Sequence, residues 1–117
     1  MASLFLNIAD AEAPEIEQEA ITIQDYALFQ VQTTWSKDEW VYFDKLIQKE
    51  SSWNSRAKNP NSTATGLGQF LDSTWGLVGC TKTFNEREQI DCTIKYISKV
   101  HGSPQKAWNF HLQKNWY

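Results

Sequence analysis

The feature that most constrains this chain is an apolar stripe with helical spacing that ends in an acid. Trp40, Phe43 and Ile47 recur at the intervals of an α-helix, and Glu50 follows three residues later. A carboxyl group at the inner end of such a stripe is partly removed from water, which is expected to raise its pKa. An acid that stays protonated near neutral pH is suited to proton donation. On periodicity alone, a solvated residue at a frayed helix end is the alternative.

Capping signals predict where the helices of this chain begin. Ser36, with Glu39 three residues later, forms a capping-box pattern, in which each side chain bonds the backbone N–H of the other residue. We therefore expect the stripe to lie on a helix from Ser36 to Glu50. Later start signals predict three more helices, which begin near Asp72, Asn85 and Pro104.

Two short motifs follow the stripe in a fixed order. The first is Glu50-Ser51-Ser52-Trp53, and the second is Gly66-Leu67-Gly68-Gln69. Eighteen residues lie between Glu50 and Gln69. Gln69 to Trp75 then reads Gln-Phe-x-x-Ser-Thr-Trp. In this order the motifs resemble the catalytic core of the lysozyme-like superfamily, in particular the soluble lytic transglycosylase (SLT) domain and its small phage relatives. The resemblance covers residues 40–75 best and thins toward Tyr117.

The resemblance implies a fold, a reaction and a set of site residues. The fold is mainly α, a small helical lysozyme-like domain with a substrate cleft. The reaction is cleavage of the β-1,4 bond between N-acetylmuramic acid and N-acetylglucosamine in peptidoglycan. Glu50 acts first as the acid and then as the base that takes the muramyl 6-hydroxyl proton. The residues that we expect to bind substrate are Ser62, Gln69, Thr74, Trp53 and Tyr96. Structural roles for Gln69 and Thr74 are the alternative.

The chain departs from the expected catalytic patterns in two places. Ordinary glycosidases place a second carboxylate across the scissile bond, but the nearest candidate, Asp72, lies at a helix start, where we expect it to cap. This favours a transglycosylase and leaves a hydrolase open. Where related domains carry Tyr-Asn-Ala-Gly, this chain has Trp108-Asn109-Phe110-His111, so no catalytic role is assigned to Asn109. His101 and His111 are expected at helix ends or on the surface.

A non-catalytic module is the alternative from another functional class. In that hypothesis the lysozyme-like fold is a structural or wall-binding part of a phage particle. Glu50 separates the two hypotheses, because a pure binder needs no acid at the end of an apolar stripe. Replacement of Glu50 by Gln is then expected to leave binding intact.

Charge is distributed unevenly along the 117 residues, whose net charge is −3. Residues 1–36 hold six acids and no Lys or Arg, and the remaining residues carry a net charge of +3. We predict an acidic extension over residues 1–35 and the lysozyme-like domain over residues 36–117. The extension is interpreted as a flexible tail, an arm lying on the domain, or a docking segment for other virion proteins. A mildly basic domain suits an anionic wall polymer or is an ordinary solvated surface, and no basic stripe suggests nucleic acid.

The remaining signals concern compartment and cofactors. No run of about 20 apolar residues predicts a membrane span, and residues 1–6 lack the basic start of a signal peptide. We therefore expect a virion component, or a lysin released to the host periplasm or cell wall. Cys80 and Cys92 form a disulfide or remain two buried thiols. Without a matching His pair they do not indicate a metal site, and no cofactor is expected.

Overall fold

The fold is known from a computed structural model that describes residues 21–117. Within this range the chain forms five α-helices and one short 3₁₀ helix: α1 (Ile23–Thr34), the 3₁₀ helix (Lys37–Glu39), α2 (Trp40–Ser51), α3 (Asp72–Leu77), α4 (Glu86–Val100) and α5 (Pro104–Lys114). Extended pairing in these residues is limited to two isolated bridges, which Thr65 makes with Lys58 and Phe70. The mainly α class predicted from the sequence is confirmed.

The core lies where α1, α2, α4 and α5 pack together. Phe43, Leu46 and Ile47 of α2 are fully buried, as the apolar stripe predicted. Helix α4 buries Ile90 and Ile97 completely, again at helical spacing. The remaining core residues come from α1, α5, the glycine turn and the C-terminal segment: Ala27, Val31, Ala107, Leu67 and Tyr117. Burial of these stripes supplies most of the apolar area removed from water.

The segment before residue 36 contributes a helix to this core. The acidic extension predicted over residues 1–35 includes α1, so this part of it is a core helix and not a flexible tail. Thr22 and Asp25 form the capping box that starts α1, and its inner face buries Ala27 and Val31. A domain that began at residue 36 would therefore lack one core helix. A docking role was predicted for residues 1–35, of which residues 1–20 lie outside the described residues.

The capping box predicted at Ser36 does not form. The Ser36 side chain makes no capping hydrogen bond, and a 3₁₀ helix precedes α2. The Glu39 carboxylate instead accepts from the backbone N–H of Gln105, at 2.9 Å, in the first turn of α5. An acid placed there stabilises the N-terminus of a neighbouring helix. The capping predictions at α4 and α5 are confirmed, because Asn85 and Ser103 accept from the N–H of Glu88 and Lys106.

A smaller apolar cluster joins α3 to α4. Phe70, Trp75 and Cys92 are buried in it, and Cys92 forms a disulfide with Cys80. This disulfide links the segment after α3 covalently to the middle of α4, and so holds α3 close to α4. In this part of the chain, none of the helices combines the length and the apolar composition that crossing a membrane requires.

Candidate active site

A cleft of about 470 Å³ opens beside the end of α2. Its walls come from α2, the loop after it, α3, α4 and the C-terminal segment. The lining residues that bear on the argument are Glu50, Gln69, Thr74, Tyr96, Trp116 and Tyr117. Among the described residues that line the cleft, Glu50 is the one with an acidic side chain. The predicted acid therefore stands alone in a concave site.

The end of α2 places Glu50 at the cleft. The helix stops at Ser51, and both Ser52 and Trp53 adopt left-handed backbone conformations, with φ of 53° and 61°. The buried Ser51 hydroxyl donates to the carbonyl of Leu67 at 2.8 Å. This bond ties the last turn of α2 to the glycine turn opposite. The Glu-Ser pair in the motif therefore joins the acid to the cleft wall that faces it.

The glycine turn is held by two glutamines. Gly66 has a φ of +85°, and a Cβ there would lie 2.7 Å from the Gln89 side chain, so a larger residue is excluded. Gln89 is 2% exposed, and its side-chain oxygen accepts from the N–H of Leu67. Gln69 also has positive φ, at 52°, and its amide donates to the carbonyls of Ala57 and Gly66. These bonds fix the turn against the loop that precedes it.

Glu50 and His111 form a buried pair. The Glu50 Oε2 atom lies 2.9 Å from Nε2 of His111, and the two side chains are 17% and 6% exposed. Burial raises the pKa of Glu50, while the His111 hydrogen bond and the charges of His111 and Lys49 lower it in part. The net direction is upward. This shift is in the direction that a proton donor requires, because it favours the protonated carboxyl group.

Tyr117 closes the cleft behind this pair. Its hydroxyl donates to the carbonyl of Gly68 at 2.9 Å, and its main-chain oxygen accepts from the hydroxyl of Tyr96. Burial raises the pKa of Tyr117 well above its usual value, and the nearby charge of Glu50 raises it further. Tyr117 therefore stays neutral and holds the C-terminal segment against the glycine turn.

The structure brings four of the predicted site residues together. Gln69, Thr74 and Tyr96 line the cleft with Glu50. Because the Gln69 amide nitrogen is bound to backbone carbonyls, the structural role considered for this residue is present. Tyr96 faces the cleft from α4, and burial raises the pKa of its hydroxyl.

Ser62 and Trp53 lie outside the set of residues that line the cleft. Ser62 is exposed, and its hydroxyl accepts from the N–H of Ala64. The Trp53 ring packs near Trp40, and its indole N–H donates to Asp44 at 2.8 Å. Sugar binding by Ser62 and Trp53 stays a prediction. In the structure, both side chains make the local contacts described above.

Asp72 is not a second site carboxylate in this geometry. It is exposed, lies outside the cleft lining and forms an ion pair with Lys82 at 2.8 Å. Its side chain makes no cap to α3, so the expected capping role is wrong. Exposed pairs of this kind contribute little to stability.

Sequence reasoning missed three residues of the site: His111, Trp116 and Tyr117. His111 lies in the last turn of α5, so the expected helix-end position is confirmed, but its side chain is buried against Glu50 and the surface alternative is wrong. Its spacing of four residues from the buried Ala107 is the signal that places it on the inner face of α5. Trp116 lines the cleft with 58% of its surface exposed, and no site role was predicted for it.

Comparison with known proteins identifies one family. A family model described as the transglycosylase SLT domain matches residues 27–112. The match begins inside α1 and ends inside α5, so it includes the Glu50–His111 pair and the cleft walls other than the C-terminal segment. No curated protein and no solved structure matches the chain.

Proposed function

Because this chain belongs to the transglycosylase SLT domain family, we propose that it is a lytic transglycosylase in which Glu50 is the single acid and base. The observation that carries the proposal is the isolated, largely buried carboxyl of Glu50 in the cleft. The family implies transglycosylase activity on peptidoglycan. The assignment of the chemistry to Glu50 is supported by the raised pKa of this residue.

The proposed reaction balances with one carboxyl group. Protonated Glu50 gives its proton to the oxygen that joins N-acetylmuramic acid to N-acetylglucosamine, and the bond from C1 of the muramyl residue to this oxygen breaks. The resulting Glu50 carboxylate then takes the proton of the muramyl 6-hydroxyl, while the oxygen of that hydroxyl bonds to C1. The products are a new N-acetylglucosamine end and a 1,6-anhydro ring, with no water consumed and Glu50 protonated again.

The other cleft residues fit the binding of a sugar chain. Thr74 and Tyr96 supply hydroxyl groups, and the exposed ring of Trp116 offers an apolar face for a pyranose. We assign substrate contacts to these three residues and to Gln69. Hydrolysis needs a base that activates water, and two-carboxylate glycosidases supply it with a second acidic residue. Asp72 was the nearest candidate for that residue, but it is paired with Lys82 and lies outside this cleft.

The test is mass spectrometry of purified peptidoglycan after incubation with the wild-type protein, Glu50→Gln and Asp72→Asn. We expect 1,6-anhydromuropeptides from the wild type and from Asp72→Asn. Glu50→Gln should lose at least roughly a hundredfold in rate, since general acid–base catalysis contributes about 10²–10⁴-fold. Reducing ends in place of anhydro ends would make the protein a hydrolase. Binding of the wall without any cleavage would contradict the enzyme hypothesis and support the non-catalytic phage module.

For its location we propose the phage virion or, after release, the host cell wall. The Cys80–Cys92 disulfide supports a compartment outside the reducing cytoplasm. Detection of the protein by mass spectrometry in purified phage particles would support the virion assignment. Its restriction to lysates freed of particles would favour a released lysin. Attachment through the acidic extension is testable by deletion of residues 1–20, which leaves α1 and its core residues in place.

A further inference from the structure

His111 approaches Glu50 from behind the cleft. The residue lies on α5, and its Nε2 atom is 2.9 Å from Oε2 of Glu50. His111 does not line the cleft, whereas Glu50 does. The Trp108 ring stacks on the imidazole, with centroids 5.6 Å apart and planes inclined by 22°. Because one ring face is covered and the side chain is 6% exposed, His111 is held in place.

The contact between these two groups has two possible arrangements of hydrogen. If the acidic proton of Glu50 lay on Oε2, it would be donated to His111 and directed away from the cleft. If Nε2 of His111 carries the hydrogen, Oε2 accepts it and the acidic proton belongs on Oε1. Only the second arrangement leaves the proton free for a substrate that enters the cleft.

We propose that His111 is a positioning residue, whose Nε2–H donates to Oε2 of Glu50 and so directs the acidic proton on Oε1 toward the substrate. The inference rests on the proposed function of Glu50. Within residues 21–117, the bond to His111 is the hydrogen bond that the Glu50 carboxyl makes. Removal of His111 therefore leaves the orientation of the acid to weaker packing contacts.

The same bond assists both halves of the reaction. Hydrogen bonding to a carboxylate favours its charged form, which opposes the effect of burial on the pKa of Glu50. After the proton has gone to the leaving oxygen, Oε2 retains a donor while Oε1 becomes the base. The hydrogen bond from His111 thereby stabilises the charged form of the single carboxyl group in a desolvated cleft.

Other titratable and charged groups surround the pair. Lys49 on α2 lowers the pKa of Glu50 by its charge. Tyr117 from the C-terminal segment and Tyr96 from α4 are neutral hydroxyl groups with partners of their own. Lys45 lies over the Trp108 ring, 5.9 Å from its centroid. None of these four groups hydrogen-bonds to Glu50 in the described part of the chain, so His111 is the group to vary.

The variants to compare are His111→Leu and His111→Gln, with His101→Gln as the matched control. Gln places an amide N–H near the position of Nε2 and does not titrate, whereas Leu has no donor. His101 is a partly buried histidine at the end of α4, with no hydrogen bond to Glu50. The pH dependence of turnover is measured for each protein, together with titration of the Glu50 carboxyl by ¹³C NMR without substrate.

For His111→Leu we expect the Glu50 titration and the alkaline limb of the pH profile to move to higher pH. The plateau rate should fall roughly tenfold, about the effect of one lost hydrogen bond. His111→Gln should recover most of the rate, and the control should leave the Glu50 titration at its wild-type position. If His111→Leu does not fold, the Gln variant decides, because its retained donor must keep the Glu50 titration near the wild-type value.

An unchanged Glu50 titration in His111→Leu, or a Gln variant no better than Leu, would overturn the proposal. The NMR titration needs no turnover. If wild-type protein cleaves no peptidoglycan, the proposed function fails, while the titration still reports whether His111 donates to Glu50. The two failures are therefore distinguishable.

Discussion

Gln89 links three segments around the glycine turn through buried hydrogen bonds. Its side-chain oxygen accepts from the N–H of Leu67 at 2.9 Å. Its amide nitrogen donates to the carbonyls of Ser55 and Thr83, at 3.0 and 2.8 Å. Leu67 is fully buried, and Ser55 and Thr83 are half-buried. Without the glutamine, water reaches the two carbonyls more easily than it reaches the N–H of Leu67.

We expect Gln89→Leu, which keeps the size of the side chain, to destabilise the protein by about 3 kcal/mol. An orphaned buried N–H costs about 2 kcal/mol, and the two half-buried carbonyls add roughly 0.5 kcal/mol each. For a domain of this size, 3 kcal/mol corresponds to a fall in Tm of roughly 12–24 °C. Because Leu67 adjoins the cleft residue Gly68, activity should fall at temperatures below the new Tm as well.

The assay is urea denaturation followed by circular dichroism, with Gln113→Leu as the matched control. Gln113 is an exposed glutamine on α5, so its replacement should change the free energy of unfolding by less than about 0.5 kcal/mol. Equal losses in the two variants, or a loss below about 1 kcal/mol for Gln89→Leu, would refute the reasoning from unsatisfied groups.

Two further predictions concern the glycine turn and the acid. Gly68→Ala should cost about 2 kcal/mol by overpacking, because the new Cβ would lie 2.7 Å from the Thr93 hydroxyl and 2.9 Å from that of Tyr117. Gly76→Ala, with open space around the new Cβ in α3, should instead gain between about 0.5 and 1 kcal/mol. Thermal denaturation of both variants checks the pair, and equal effects would contradict it. Glu50→Gln should be more stabilising at about pH 7.5 than at about pH 4. The pKa of Glu50 is raised on folding, so its contribution to stability is lost as pH rises from the unfolded value through the folded one. Denaturation of the wild type and Glu50→Gln at both pH values measures the difference in their free energies of unfolding. A difference that does not change with pH would contradict a raised pKa of Glu50 in the folded protein.

Local patterns predicted most of the helices and the position of the acid. Helical spacing alone placed Phe43 and Ile47 in the core and Glu50 at the end of the same face, because residues three and four apart share one side of a helix. The capping-box prediction at Ser36 was wrong because Glu39 has a competing hydrogen-bond partner elsewhere in the chain. Glu39 satisfies the N-terminus of α5 rather than Ser36, and such a partner is invisible to a four-residue pattern.

The N-terminal segment was misjudged for a similar reason. Acidic composition and β-branched residues near Ile21 outweighed the capping box of Thr22 and Asp25, which is the local signal for α1. Two small residues in the resulting helix, Ala27 and Val31, are buried against partners from elsewhere in the chain. Burial of such residues depends on tertiary packing, which overrides weak intrinsic preferences.

The sequence by itself determined the acid at the end of α2, which depends on spacings within a few helical turns. It also determined the motifs between Glu50 and Trp75, whose resemblance to a known family implied the helical class. Only the tertiary structure decided what surrounds that acid. His111 lies 61 residues from Glu50, and Tyr117 lies 49 residues from Gly68. Neither contact has a periodic signature, because it arises from the packing of α5 and the C-terminal segment on α2 and the glycine turn. Burial by these distant segments removes Glu50 from water, and this desolvation raises its pKa.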